Sequence, residues 1–228
     1  MPQWALWYEG KSFSTDWTTG HFDSWSAILA HLRDSEVEIL EIGSWEGRSA
    51  IFFLEFFRFG RLTCIDTFRG NPEHLDGSFD LSVIEKKFDE NTASYGSRVT
   101  KIIGRSVQAL DRLAQDGRGF DIIYIDGSHQ REDVMADTVL AWKTLKPDGF
   151  VIWDDYLWGT NMPAASRPGP AIDAFLRLVE NEMKIHRFSA QVIGQKQPSS
   201  EPLCVPSAPV YPRTPRNLIR FLRKQPLC

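Results

Sequence analysis

The chain has 228 residues, of which 42% are hydrophobic and 25% are charged, and its formal net charge at pH 7 is -4. This composition is that of an ordinary globular protein with enough length to close one sizeable core. The negative balance argues against broad binding to a phosphate backbone, so nucleic acid is not an expected partner.

The first residues lack the charged start and the apolar run of a secretory signal peptide. No stretch approaches the ~20 apolar residues that a membrane-spanning helix needs. Three cysteines, Cys64, Cys204 and Cys228, show no metal-binding spacing and suit a reducing compartment. We therefore expect a soluble, cytoplasmic protein with no transmembrane segment and no structural zinc.

Short apolar runs alternate along the chain with longer stretches that carry apolar residues at helical spacing. Such runs are typical of strands buried on both faces, and their alternation with helices indicates a parallel sheet. The predicted strands cover residues 37–42, 62–65, 99–103, 120–125 and 150–153, and the predicted helices cover residues 17–33, 49–59, 107–114, 131–145 and 171–182. Residues 184–193 are expected to supply a final strand or hairpin.

The last part of the chain differs in composition from the rest. Prolines recur every few residues from 197 to 215, and residues 213–224 fit a short basic amphipathic helix. The sequence therefore predicts one domain over residues 1–196, followed by a proline-rich arm and a short basic segment over residues 197–228. This tail either packs on its own domain or docks on a partner or a membrane surface, and a homo-oligomer formed through the arm is one form of such docking.

The first predicted strand runs into a turn with two glycines, Gly43 and Gly47, in the stretch EIGSWEGRS. Glycines let the backbone fold tightly and approach a ligand closely. The spacing departs from the GxGxxG dinucleotide fingerprint, and alone it is equally typical of a plain tight turn. The second strand ends at Asp66, where a carboxylate is placed to accept the ribose hydroxyls of a nucleoside. Ser106 follows the third strand at the same edge of the sheet.

Three further carboxylates follow the next two predicted strands. Asp126 ends the fourth strand, and Asp154 and Asp155 end the fifth. Carboxylates so close together repel unless one is protonated or a cation lies among them, and oxygen ligands select Mg²⁺, Mn²⁺ or Ca²⁺. His129 is a candidate general base, since an ordinary histidine has a pKa of ~6.5. The alternative is a histidine that supports the metal site or hydrogen-bonds the substrate. A single Asp after a strand is also a common helix N-cap, so a metal-free site stays open.

The motifs EIGSWEGRS, CIDTF, GRSVQAL and YIDGSH, followed by KPDGFVIWDDY, resemble the ordered motifs of class I S-adenosylmethionine-dependent methyltransferases. Within that superfamily the chain is most similar to the metal-dependent O-methyltransferases of the catechol and macrolide-sugar types, which share a strand-ending D-G-x-H. The resemblance covers residues 17–196. It implies an α/β, Rossmann-like three-layer sandwich with a seven-stranded, mostly parallel sheet whose last strand is antiparallel.

The resemblance also implies roles for individual residues. Asp126 and His129 would be catalytic, and Asp126, Asp154 and Asp155 would hold Mg²⁺, or Mn²⁺ or Ca²⁺ in its place. The residues implied to contact S-adenosyl-L-methionine are Glu41, Gly43, Ser44, Trp45, Gly47, Ser49, Asp66, Thr67, Ser106 and Asp126. Arg105 departs from the acidic residue often found before such a serine, which weakens the assignment of Ser106 to the adenine.

The connections 67–95 and 157–170 mix aromatic and polar residues, which suits a hydroxylated small molecule such as a sugar, a phenol or a glycosylated natural product. The resemblance therefore implies a methyltransferase that acts on a hydroxyl of such a molecule. An NAD-binding oxidoreductase is the nearest alternative, but the glycine spacing and the absence of a YxxxK pair argue against it. A catalytically silent assembly subunit would leave the three carboxylates without a purpose.

Overall fold

The computed structural model describes residues 4–198, and their strands form one seven-stranded sheet. The strands are β1 (Glu38–Ile42), β2 (Arg61–Asp66), β3 (Val99–Ile103), β4 (Phe120–Ile125), β5 (Leu145–Trp153), β6 (Met183–Phe188) and β7 (Val192–Lys196). Their order is β3-β2-β1-β4-β5-β7-β6. The pairs among β1 to β5 are parallel, and β7 is antiparallel to both of its neighbours. The predicted fold class is thereby confirmed.

Six α-helices cover the two faces of the sheet and complete three layers. They are α1 (Phe22–Leu29), α2 (Arg48–Phe56), α3 (Ile84–Thr92), α4 (Ser106–Gln115), α5 (Arg131–Thr144) and α6 (Gly169–Leu178). Helices α1 to α3 contribute to the core on one face, and α4 to α6 contribute to the core on the other.

Alternate residues of the central strands pack into opposite cores. Along β4, Ile122 and Tyr124 belong to one core, and Ile123 and Ile125 belong to the other. Successive side chains of a strand point to opposite faces, so a strand covered on both sides must be apolar throughout. This is why the sequence shows continuous apolar runs rather than alternation.

The structure differs from the predicted elements at several places. The predicted helix over residues 17–33 is α-helical only in α1, which is flanked by 3-10 turns at Thr19–His21 and Ala30–Leu32. Gly20 weakens the helix at its start, and 3-10 turns are common at helix ends. The connection 67–95 contains α3, whose buried residues include Ile84 and Phe88.

The predicted proline-rich arm and basic segment lie outside the described residues, except for Gln197 and Pro198. The homo-oligomer expected to form through this arm therefore stays a prediction. Cys64 is completely buried in the core, whereas Cys204 and Cys228 also lie outside the described part. No helix within residues 4–198 is long and apolar enough to cross a membrane.

Candidate active site

The carboxyl ends of the central strands open into a cavity of ≈ 810 Å³. This is the usual ligand-binding edge of a parallel sheet, and the volume suits a ligand of moderate size. The walls come from the turn after β1, the ends of β2, β4 and β5, and the start of α4. Of the predicted site residues, those that line the cavity are Gly43, Ser44, Trp45, Ser49, Asp66, Thr67, Ser106, Asp126, His129, Asp154 and Asp155.

Gly43 holds the turn after β1 against the end of β4. Its φ is +85°, and a Cβ at this position would lie 2.0 Å from the carbonyl oxygen of Asp126. The Gly43 amide donates to the carbonyl of Ile65 at 2.9 Å, and the Asp126 amide donates to the carbonyl of Ile42 at 2.8 Å. Only glycine fits here, because both the backbone conformation and the close approach exclude a side chain. The turn is therefore fixed relative to Asp126.

The Asp66 carboxylate is tied to the backbone of two neighbouring turns. Its Oδ2 accepts the amides of Ser44 at 2.7 Å and Trp45 at 2.8 Å, and its Oδ1 accepts the amide of Phe68 at 2.7 Å. Trp45 and Phe68 both have left-handed backbone conformations, which these bonds help to hold. A carboxylate has about four acceptor positions, so capacity remains for a ligand. Contact between Asp66 and a ribose stays a prediction.

Glu41 is completely buried and does not line the cavity, and Gly47 does not line it either. Glu41 accepts hydrogen bonds from the Ser49 hydroxyl at 2.5 Å and from the Cys64 thiol at 3.4 Å. Burial raises the pKa of Glu41 to about 7, and the hydrogen bonds offset only part of that rise. The predicted contacts of Glu41 and Gly47 with a donor stay predictions.

Asp126 and Asp154 share the hydroxyl of Tyr124, which contacts Oδ2 of each. One hydroxyl has one proton, so it donates to only one of the two carboxylates at a time. Burial, followed by the charges of Asp154 and Asp155, raises the pKa of Asp126 well above its usual range. Burial and the charge of Asp155 also raise the pKa of Asp154. The group therefore requires a proton or a cation to offset its negative charge.

The neighbours Asp154 and Asp155 differ in what they contact. Asp154 also accepts a hydrogen bond from the Gln191 amide nitrogen at 2.8 Å, and its other oxygen accepts the backbone amide of Asp155 at 2.7 Å. Asp155 has a φ of +56°, which is costly for any residue with a side chain. Its Oδ2 lies 2.8 Å from Nε2 of His129. Asp154 is thus held by the protein, whereas Asp155 faces the histidine.

His129 lies between two carboxylates. Besides its contact with Asp155, its Nδ1 is 2.6 Å from Oε1 of Glu73, but the two atoms are not aligned for a hydrogen bond. Both are buried, and neither has a hydrogen-bond partner within residues 4–198. Burial lowers the pKa of His129, but the two carboxylates outweigh it, so the pKa is raised. The Trp158 ring packs on the imidazole at a centroid distance of 4.2 Å.

Asp126, His129 and Asp155 offer one ligand atom each, and these atoms all lie within 4.8 Å of one another. In the described part of the chain, no lysine or arginine forms an ion pair with these two carboxylates. Oxygen and imidazole nitrogen donors without thiolate suit a divalent cation such as Mg²⁺ or Mn²⁺. The residues present therefore fit a cation. Asp154 is outside this group, and its role as a ligand stays a prediction.

Residues 40–156 match a protein-family model described as a methyltransferase domain. The match covers just over half of the 228 residues and includes the glycine turn, Asp66 and the acidic residues after β4 and β5. The chain belongs to this methyltransferase family.

Among curated proteins, this methyltransferase domain is 27% identical over 157 residues to mycinamicin VI 2''-O-methyltransferase of Micromonospora griseorubida, covering 64% of this chain and 33% of that protein. It is 27% identical over 180 residues to demethylmacrocin O-methyltransferase of Streptomyces fradiae, covering 74% of this chain and 39% of that one. An uncharacterized protein of Acanthamoeba polyphaga mimivirus is 26% identical over 161 residues. The chain spans 66% of that viral protein but only 33% and 39% of the two O-methyltransferases.

Solved structures support the fold of the methyltransferase domain. MycE methyltransferase from the mycinamycin biosynthetic pathway, in complex with Mg and SAH, has a TM-score of 0.59 at 19% identity, over 96% of this chain and 59% of that one. An O-methyltransferase from Bacillus cereus in complex with SAH has a TM-score of 0.60 at 17% identity, over 81% of this chain and 84% of that one. At these identities the likeness shows the fold alone.

Three cavity carboxylates of the methyltransferase domain, Glu73, Asp133 and Asp137, were missed in the sequence. Asp137 is 2% exposed and lies on α5 beside the buried residues Val134, Thr138 and Ala141. A charged residue within a buried helical stripe is a signal that could have identified it. Glu73 lies in the connection between β2 and α3, where no periodicity marks it.

Proposed function

We propose that this protein is an S-adenosyl-L-methionine-dependent O-methyltransferase that uses a divalent cation to methylate a hydroxyl of a small molecule. The observation that carries the proposal is the shared cavity, because one lining contains both the glycine turn with Asp66 and the group Asp126, His129 and Asp155. The family membership of residues 40–156 supports methyl transfer as the chemistry.

The donor is proposed to lie along the turn after β1 and across the end of β2. Ser44 and Trp45 would contact its amino-acid part, Asp66 its ribose and Ser106 its adenine. When bound, the donor supplies a methyl group on a positively charged sulfur, which is the electrophile. The three backbone amides that donate to Asp66 hold the turns after β1 and β2 in place without the donor. Binding the donor would therefore cost little conformational entropy in these turns.

The cation is proposed to be held by Asp126 and Asp155, with Glu73, Asp154 and His129 beside them. When bound, it supplies a positive charge that orients two neighbouring oxygens of the acceptor and lowers the pKa of the reacting hydroxyl. The Tyr124 hydroxyl and the Gln191 amide keep the Asp154 carboxylate in place. Trp158 covers the imidazole and limits the access of water.

His129 is proposed to take the proton of the acceptor hydroxyl. The oxygen forms the new bond to the methyl carbon, the bond from that carbon to sulfur breaks with its electrons remaining on sulfur, and the hydroxyl proton moves to His129. The imidazole must be neutral to accept it. Because His129 lies among the potential cation ligands, the role of ligand is the alternative to that of base: the lone pair that binds a cation cannot also take a proton.

The acceptor is proposed to be a hydroxylated small molecule, in line with the names of the two O-methyltransferase relatives. Trp17, Trp45 and His74 lie together at the cavity, with ring centroids between 4.8 and 5.6 Å apart. Aromatic faces of this kind suit the apolar face of a sugar or a planar phenol.

Calorimetry tests the donor assignment. We expect S-adenosylhomocysteine to bind in the micromolar range and NAD not to bind, whereas the reverse ranking would support an oxidoreductase. Activity is then measured on a panel of phenols, sugars and glycosylated natural products with a labelled methyl donor, with and without EDTA. Donor binding without turnover of any acceptor would support a silent subunit, and turnover unaffected by EDTA would leave a metal-free transferase.

A further inference from the structure

Asp137 is a buried carboxylate at the cavity, and one of its two oxygens has no hydrogen-bond partner within residues 4–198. This oxygen is Oδ1, and the residue is 2% exposed. Burial raises its pKa to about 6, and the nearby Ser106 hydroxyl offsets part of that rise. A buried polar atom without a partner costs free energy, so each one calls for an explanation. A ligand that donates a hydrogen bond to Asp137 provides one.

The surroundings of Asp137 indicate what kind of ligand this is. Helices α4 and α5 pack together, and Ser106 begins α4. A Cβ at Gly127 would lie 3.7 Å from Oδ2 of Asp137, so the glycine leaves space beside the carboxylate. Val107 is 39% exposed and, with Ile65, gives this part of the lining an apolar surface. We call the region of Ser106, Val107, Gly127 and Asp137 the α4–α5 corner. Apolar walls with one strong acceptor suit a flat base that carries an amine.

We propose that the carboxylate of Asp137 accepts a hydrogen bond from the exocyclic amine of the donor's adenine and thereby selects adenosyl over 6-oxopurine ligands. This inference rests on the proposed function and adds a specificity-determining residue to it. A 6-oxopurine presents a carbonyl oxygen where adenine presents its amine. Two acceptors would then face each other in a buried site, which is strongly unfavourable.

Asp133 lies one turn earlier on α5 and is the nearest alternative. It lines the same cavity, but it is exposed and already accepts a hydrogen bond from the Ser128 hydroxyl at 2.8 Å. Its carboxylate therefore has a partner and access to water, unlike Oδ1 of Asp137. The pair offers a matched comparison, since Asp→Asn removes one charge from the same helix in both cases.

Calorimetry of the full chain with S-adenosylhomocysteine and S-inosylhomocysteine tests the proposal. The wild type is expected to prefer the adenosyl compound by about 100-fold or more, as a site built around a hydrogen bond does. Asp137→Asn should narrow the preference to within about tenfold, because an amide can donate to the 6-oxo group. Asp133→Asn should retain the wild-type ratio. Thermal unfolding of each variant checks that it is folded.

The outcomes separate the two proposals. If the wild type binds neither compound, the donor assignment fails and the role of Asp137 fails with it. If the wild type binds the adenosyl compound but Asp137→Asn retains the full preference, or if Asp133→Asn is the variant that loses it, only the role of Asp137 is overturned. A wild-type ratio near one overturns that role without any variant, so the test stands even if Asp137→Asn does not fold.

Discussion

The carboxylates at the two ends of the cavity differ in how their negative charge is offset. At the end of β2, the oxygens of Asp66 accept three backbone amides from the adjoining turns. At the ends of β4 and β5, Asp126 and Asp154 share one tyrosine proton, and Asp155 has one histidine to offset its charge. Neighbouring buried atoms of Glu73 and His129 lack hydrogen-bond partners in the described chain. The charge of Asp66 is offset by hydrogen bonds from the protein itself, whereas the charges at the ends of β4 and β5 require a further proton or a cation.

This difference separates residues that shape the site from residues that perform its chemistry. Backbone amides cannot be changed by mutation, so the donor end depends on a few carboxylate and glycine positions for its folding. The acidic end stores unfavourable electrostatics that a cation would relieve, so its residues should matter more for activity than for stability. Each of the following predictions tests that division.

Replacing His129 should have the largest effect on turnover. We expect His129→Gln to lower kcat by about 10²–10⁴-fold, the usual contribution of a general base. If the histidine is a base, raising the Mg²⁺ concentration should not restore the rate, whereas a ligand role predicts partial recovery. His186→Gln, an exposed position on β6, is the matched control and should leave kcat unchanged. Normal turnover by His129→Gln would contradict both roles.

The neighbouring pair Asp154 and Asp155 should separate a cation ligand from a residue that supports the site. Asp155→Asn is expected to lower the affinity for Mn²⁺ by about 100-fold, and Asp154→Asn by nearer to tenfold, as residues behind a metal site do. Binding is measured by electron paramagnetic resonance of free Mn²⁺, which requires no turnover. The two variants share the same strand end and the same loss of charge. Equal affinities would contradict the division of roles inferred from their contacts.

Asp66 and Asp126 should respond in opposite directions to the same substitution. Asp66→Asn places an amide donor among backbone donors and should destabilise the protein by about 1–3 kcal/mol. Asp126→Asn removes a repelling charge and should leave the metal-free protein as stable as the wild type, or more so. Urea unfolding without added metal measures both, with the exposed Asp76→Asn as control. Marked destabilisation by Asp126→Asn would contradict the comparison.

The strands and the position of the site were predictable because their signals are local. Continuous apolar runs marked β1 to β5, and Asp66, Asp126 and the Asp154–Asp155 pair were placed correctly at one edge of the sheet. The start of β5 was missed because the turn-like residues 146–149 belong to the strand, which pairs with β4 on both sides of an irregularity.

The arrangement of side chains within the site was not predictable. The side chains of Asp154 and Asp155 have different contacts because Asp155 adopts a left-handed backbone conformation. An aspartate in the sequence does not indicate by itself that its φ is positive. Glu73 reaches His129 from a connection with no periodic pattern. The bonds of Asp66 to the amides of Ser44 and Trp45 were not predictable either, because they depend on how two turns approach each other in space.

The smallest expected effect concerns Asp137 and its dependence on pH. Its pKa is raised from 3.8 in the reference state to about 6 in the folded protein, first by burial and then by Asp133, while Ser106 offsets part of the rise. The folded state therefore prefers the protonated acid. Its destabilising effect is absent below the unfolded pKa, grows as pH rises toward the folded pKa, and is complete above it.

The asparagine of Asp137→Asn does not titrate. The free energy of unfolding of this variant, relative to that of the wild type, should therefore increase by about 1 kcal/mol between pH 5 and pH 7. Urea unfolding of both proteins at both pH values measures this, and the double difference cancels the titration of groups that the substitution does not perturb. Saturating S-adenosylhomocysteine should reduce the increase, because the adenine amine would favour the charged carboxylate. If the stability difference between Asp137→Asn and the wild type does not change with pH, the folded protein does not raise the pKa of Asp137. Its carboxylate would then be as well hydrogen-bonded or solvated as that of Asp66, and the cavity would not lack a partner for it.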